Sequence, residues 1–219
     1  VESGESELII GTQALLAQGT QFTSLGLIIV DEQHRFGVRQ RIALKDKAGR
    51  LPHVLTMTAT PIPRTLALVL YGDLELSIIK ELPPGRQPTR TQVAFEADRV
   101  HIYNQMSLLL DQGQQAYIVC PAIDETDSGG MKAASAEYKA LQKGVFKHRR
   151  IGLVHGKLKT DEKNAVMADF VAGKLDILVA TTVIEVGIHV PNATMMIVEQ
   201  AERFGLATLH QLRGRVGRG

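Results

Sequence analysis

Nine short aliphatic runs, rich in β-branched residues and each closed by polar or glycine-containing turns, constrain this chain more than any other feature. They are ELIIGT, LGLIIVDE, HVLTMTAT, LSIIKEL, TQVAFE, QAYIVCPAI, RIGLVHG, DILVATTV and TMMIVEQ. Near-continuous runs of this kind, rather than strict alternation, are the pattern of strands buried on both faces of a parallel sheet. Between them lie stretches with helical spacing. ADRVHIYNQMSLLLDQG carries apolar residues at Val100, Tyr103, Met106, Leu109 and Leu110 and stops at Gly113. KTDEKNAVMADFVAGK offers Thr160 as an N-cap, Asp161 and Glu162 in the first turn and Gly173 as the stop. ETDSGGMKAAS, residues 125 to 135, reads as a mobile loop ahead of a helix. Alternating strand and helix predicts βαβ units with right-handed crossovers, an α/β fold with mainly parallel sheets.

The clearest break is ELPPGRQPTR, residues 81 to 90, which has three prolines and a glycine among polar residues and reads as a linker. It leaves a first part short for an α/β lobe and a second part long enough for one. The net charge is only +2, so a nucleic-acid surface would have to come from local basic clusters. The single cysteine, Cys120, excludes an internal disulfide framework and lies in a run that reads as a buried strand; a reducing cytoplasm fits best. No apolar run reaches the roughly 18 residues needed to span a bilayer. The first residues carry no initiator Met or signal-peptide pattern, and the expectation is a piece cut from a longer chain.

Chemistry concentrates where the strands end. In open α/β sheets ligands bind outside the carboxyl ends of the strands, and IIVDE puts Asp31 and Glu32 there. Two adjacent carboxylates suit a Mg²⁺-nucleotide site, one anchoring the cation and the other positioning a water. A solvated strand end or a helix cap is the plainer alternative. The next run ends TMTATP, where Thr58 and Thr60 could bridge a carboxylate–imidazole cluster or simply form a turn. QLRGRVGRG sets Arg213, Arg215 and Arg218 among three glycines. Such arginines either supply positive charge to a γ-phosphate or form a loose nucleic-acid-binding tail.

Taken in order, these elements resemble the core of a superfamily 2 helicase. IIGTQALL (9 to 16) is similar to motif Ib, VDEQH (30 to 34) to motif II and TATP (58 to 61) to motif III. LVHGKL (153 to 158) is similar to motif IV, ATTVIEVGIHVPNAT (180 to 194) to motif V and QLRGRVGRG (211 to 219) to motif VI. DEQHRFGVRQR, TMTATPIPRTLAL, ELPPGRQPTRT and ERFGLATLHQLRGRVGRG resemble the RecG family, double-stranded DNA translocases that remodel stalled replication forks. The resemblance implies two RecA-like, P-loop NTPase type lobes, with ATP in the cleft between them and DNA crossing both. Residues 1–82 would be the C-terminal part of an incomplete lobe 1, 83–90 the linker, and 91–219 lobe 2, truncated at its end. It further implies a cytoplasmic enzyme of DNA repair and recombination that needs the rest of its own polypeptide for activity.

Residue by residue, the resemblance assigns Mg²⁺ to Asp31 and the hydrolytic water to Glu32. It assigns coupling to Gln33, Thr58 and Thr60. His34, Gly187, His189 and Gln211 would contact the nucleotide, and Arg215 and Arg218 the phosphates. Gly11, Thr12, His155, Gly156, Thr181 and Thr182 would meet the DNA backbone, as suits a motor that grips phosphates without reading bases. His155 could equally be a satisfied histidine at a strand end. Met195 and Met196 read as core, and Phe36 and Phe204 as packing residues.

Two departures stand out. Neither Gly-Lys pair, at 156–157 or 173–174, sits in a G-x-x-x-x-G-K-[ST] phosphate loop. The expectation is that the loop lies upstream and that this chain alone hydrolyses no ATP and unwinds nothing. His189 stands where the family often has an acidic residue near the ribose, which puts that contact in doubt. The alternatives are a translocase similar to the transcription-repair coupling factor, a helicase-like RNA translocase, and a non-enzymatic nucleic-acid-binding module.

Overall fold

A β-branched run becomes a strand only when a neighbour completes its hydrogen-bond ladder, and six of the nine runs find one. In the computed structural model of the chain, the described residues are 6–16, 22, 24–32, 52–58, 75–79, 81, 88–121, 128–181 and 190–217. The chain divides into two compact units, Val1–Leu74 and Glu75–Gly219.

In the first unit, β1 (Leu27–Val30) pairs in parallel with β2 (His53–Thr56), Val30 facing Thr56. Gly26 O and Val30 O extend the ladder by accepting from the backbone N–H groups of His53 and Met57, both at 2.8 Å. β1 buries Ile28 and Val30 but leaves Leu27 and Ile29 each 55% exposed. Burial on both faces, expected from the run, is thus not met here, because no second layer covers that face among the described residues.

Three runs are not strands at their described residues. Leu8 and Ile10 of ELIIGT, Leu76, Ile78 and Ile79 of LSIIKEL, and Val93 and Phe95 of TQVAFE are exposed and join no ladder. Their composition favours a strand; among the described residues no partner edge supplies the hydrogen bonds.

The other four runs of the second unit form strands as expected. Four parallel strands, β3 (Gln115–Val119), β4 (Ile151–Val154), β5 (Ile177–Ala180) and β6 (Ala193–Val198), lie in the order β4-β5-β3-β6. Every residue of β3 and β5 is buried. One face packs Ala116, Ile118, Ile177 and Val179 against α1 (Arg99–Asp111) and α2 (Ser128–Lys143), through Met106, Leu110, Ala134 and Leu141. The other packs Tyr117, Val119, Leu178 and Ala180 against Phe170 of α3 (Thr160–Val171) and Leu212 of α4 (Leu206–Arg213). Met195 packs against the first cluster, and Met196 and Phe204 against the second.

Local details differ from the sequence reading. Val100 is 73% exposed, because the buried stripe of α1 runs through Tyr103, Met106 and Leu110. The N-cap of α3 is Lys159 rather than Thr160; its backbone N–H donates to Glu162 Oε2 at 3.0 Å, so the acidic first turn does the capping. Ser128 to Ser135, expected within a loop, are helical and open α2. Gly113 and Gly173 end α1 and α3 at φ of 79° and 70°, a conformation glycine adopts without strain. No helix among the described residues is long and apolar enough to cross a membrane.

Candidate functional site

The register Val30↔Thr56 carries Asp31 and Glu32 to the same sheet edge as Thr58. Asp31 is exposed and Glu32 half-buried, with its Oε2 atom enclosed. The backbone N–H of Glu32 donates to Asp31 Oδ1 at 2.8 Å, which orients the first carboxylate. Glu32 itself has φ of 49°, in the left-handed region, at a cost of roughly 1–2 kcal/mol for a residue with a Cβ. Held strain of that kind clusters at ligand sites.

Elsewhere in this unit, Thr12 caps the short 3-10 helix Gln13–Leu16. Its Oγ1 accepts from Ala14 N at 3.4 Å and its carbonyl accepts from Leu15 N at 3.1 Å. Gly11 has a packing reason to be glycine, since a Cβ there would meet Leu15 Cγ at 2.8 Å. Both residues are exposed.

In the second unit, Val154↔Ala180 brings His155 and Thr181 side by side at the carboxyl edge. Thr181 is buried, and its backbone N–H donates to Val154 O at 3.2 Å. His155 is half-buried; its Nδ1 atom is enclosed and meets no partner among the described residues. Gly156 is exposed, with open space where a Cβ would stand, and its carbonyl accepts from Lys163 Nζ at 3.2 Å.

α4 and the loop after it carry the basic motif. Leu212 and Val216 are buried, pinning the helix end, while Gln211 and Arg215 are half-buried. Arg215 N donates to Leu212 O at 2.9 Å and its Nε atom is enclosed, whereas Arg213 is exposed and bonds His210 Nδ1 at 3.0 Å. Gly217, at φ of 73°, turns the loop. Gln33, His34, Thr60, Thr182, Gly187, His189 and Arg218 lie outside the described residues.

Sequence reasoning missed one constellation. Arg99, the first residue of α1, donates five hydrogen bonds: to Glu96 at 2.7 and 3.0 Å, to Glu199 at 2.9 and 2.9 Å, and to the Tyr103 hydroxyl at 2.8 Å. Tyr103 in turn donates to Glu137 at 2.9 Å. Donating to the Glu96 and Glu199 carboxylates raises the guanidinium's already high pKa, so it stays charged. Nearby, burial and then Glu137 and Glu199 push the Cys120 thiol up to about 12, which leaves it unreactive at neutral pH. The signal was present in VEQ, a carboxylate closing an aliphatic run as Asp31 does in VDE.

Two parallel-sheet units with polar residues gathered at their carboxyl edges define a RecA-like helicase core. The helicase conserved C-terminal domain matches residues 98–219, and a DEAD/DEAH box helicase domain matches residues 2–69. The chain belongs to the helicase family that this C-terminal domain defines. Within it, the resemblance to RecG is borne out. The chain is 54% identical over all 219 residues to the ATP-dependent DNA helicase RecG of Synechocystis sp., of which it covers 26%. It is 53% identical to that of Acidithiobacillus ferridurans over 99% of this chain and 31% of the relative, and 50% identical to that of Thermotoga maritima over 100% and 28%. The chain thus spans about a quarter to a third of the curated relatives it matches.

Among solved structures, RecG bound to a three-way DNA junction matches with a TM-score of 0.67 at 46% identity, over 96% of this chain and 26% of that one. The S. cerevisiae protein Dbp5 bound to RNA and ADP BeF3 matches with a TM-score of 0.61 at 17% identity, over 94% and 54%, and shares the fold.

Proposed function

We propose that the chain is part of the motor core of an ATP-dependent DNA helicase that translocates on double-stranded DNA and remodels branched DNA such as stalled forks. The observation that carries this reading is 54% identity to RecG across the whole chain. The proposed lobe limits are 1–82 and 91–219, with 83–90 as the linker. A cytoplasmic setting suits such an enzyme and its buried free thiol.

Among the described residues no three His, Cys, Asp or Glu gather into a metal cage. The exposed Asp31 carboxylate fits the demand of a Mg²⁺ that takes one or two carboxylates and fills its remaining positions with phosphate and water. When bound with ATP, that cation neutralises charge developing on the phosphates. In this reading Asp31 holds it, and Glu32, fixed by its strained backbone, orients the attacking water. Gln211, His34, Gly187 and His189 bind the nucleotide, and Arg215 and Arg218 bring positive charge to the phosphates. Gln33, Thr58 and Thr60 couple the nucleotide state to the rest of the motor. Gly11, Thr12, His155, Gly156, Thr181 and Thr182 grip the DNA backbone. Hydrolysis is assigned to the full-length protein, because the 219-residue sequence carries no G-x-x-x-x-G-K-[ST] loop.

The test is ATP turnover by the full-length protein with no DNA, linear duplex and a three-way junction. Turnover should rise with duplex and rise most with the junction. Turnover that is absent, or unchanged by any DNA, would overturn the reading in favour of a binding module.

A further inference from the structure

The stretch that carries Gln211 and Arg215 has one half-buried apolar anchor on the path ahead of it, Phe204, which packs against the second cluster. From Glu199 to Gln211 no residue is buried; Leu212 and Val216 are the first that are. The path begins at Glu199, whose backbone N–H continues the β6 ladder by donating to Val119 O at 2.9 Å. Gln200 then turns the chain at φ 51°, ψ 52°, another left-handed residue with a Cβ, into the 3-10 helix Ala201–Arg203 and on to α4. Ahead of Phe204, at Glu199 and Gln200, the contacts that hold this path are polar.

Glu199 is gripped by both terminal nitrogens of Arg99, with side-chain exposures of 17% and 31%. All five N–H donors of Arg99 are used, on Glu96, Tyr103 and Glu199, so the guanidinium is held in a single orientation. Arg99 opens α1, which packs on the face of the sheet opposite α4. The contact thus spans the carboxyl rim of the sheet. The segment leading into α1 also meets the far end of the arginine-bearing stretch, where Thr89 Oγ1 approaches Val216 O at 3.5 Å.

We infer that Arg99, through its two-pronged grip on Glu199, is a positioning residue for motif VI: it fixes the turn at Gln200 and hence where α4 presents Gln211 and Arg215. The inference rests on the proposed role of those two residues at the nucleotide. A lysine cannot replace Arg99, because its ammonium lacks the planar fork that reaches three partners at once.

The test uses the full-length protein carrying Arg99→Gln, Glu199→Gln, both together, or Arg99→Lys, with Glu32→Gln as a control. DNA-stimulated kcat should fall about tenfold or more in each single variant, as small misplacements of catalytic groups do, with the KM for ATP moving less than about threefold. The double variant should lose no more than the worse single one, since both remove the same contact. Trypsin cleavage after Arg203 and Arg213 should quicken in step with the loss of kcat, because the stretch is less firmly held. Wild-type kcat in Arg99→Gln would overturn the inference. So would a loss that disappears once activity is scaled to the folded fraction, with cleavage unchanged. If Arg99→Gln does not fold, Arg99→Lys decides by the same two readouts. A wild-type protein that hydrolyses no ATP sinks the functional reading and this inference together. An active wild type, a dead Glu32→Gln and a normal Arg99→Gln sink the inference alone.

Discussion

Asp176 shows how one side chain at the opposite, amino edge of the sheet ties two loops together. Its carboxylate accepts from Arg150 N at 2.8 Å, Nε at 3.2 Å and Nη2 at 2.6 Å. Burial pushes its pKa up, but the hydrogen bonds from Arg150 outweigh that, and the net shift is downward. A carboxyl group whose folded pKa lies below its unfolded value of about 3.9 stabilises the fold at and above that pH. The contribution is lost as pH falls through the lower, folded value. Unfolding midpoints of wild type and Asp176→Asn should therefore differ by a constant amount from pH 7 to 5, and the gap should close below about pH 4. A gap independent of pH down to pH 2 would show that the carboxylate does not titrate against Arg150. At this scale the placement of Asp31 and Glu32 at the carboxyl end of β1 was legible from the end of the aliphatic run. The backbone of Glu32 was not, because a left-handed φ on a glutamate leaves no mark in composition.

At the scale of elements, β3, β4 and β5 were legible because they are largely buried on both faces, which demands continuous aliphatic runs. ELIIGT, LSIIKEL and TQVAFE misled for the same reason: the pattern reports composition, while a strand also needs a neighbour. Helix stops at Gly113 and Gly173 were readable from glycine's freedom at positive φ. The start of α3 was off by one residue, because Glu162 can cap any N–H it reaches. Gly152, in the middle of β4, marks a close approach that the run itself hides. A Cβ there would meet Leu175 Cδ1 at 2.7 Å, Val166 Cγ1 at 3.0 Å and Leu178 Cδ1 at 3.2 Å, wedging α3 from the sheet. Gly152→Ala should destabilise the second unit by about 1–3 kcal/mol through overpacking, read from its denaturant midpoint. An unchanged midpoint would mean that α3 shifts freely on β4.

At the scale of the molecule, the two units gather polar residues at the carboxyl ends of their strands, and the order of the motifs along the chain is enough by itself to point to a helicase core. The Arg99 hub stayed hidden because only Glu96 is its neighbour in sequence, while Glu137 and Glu199 come from separate stretches and reach it only through the fold. Motif order says which residues could act. It says nothing of what holds them, and the grip of Arg99 on Glu199 is the kind of contact that only tertiary structure supplies.

The central claim is that the carboxylate pair closing β1 serves ATP hydrolysis, and it is tested most directly by ATP binding and turnover in the full-length protein carrying Glu32→Gln. The substitution keeps the size of the side chain and removes the charge that would orient the water. ATP and Mg²⁺ should bind within about threefold of wild-type affinity, while DNA-stimulated turnover falls by about 10²-fold or more. Turnover near the wild-type rate would remove Glu32 from the reaction and return the strained turn after β1 to a purely structural role.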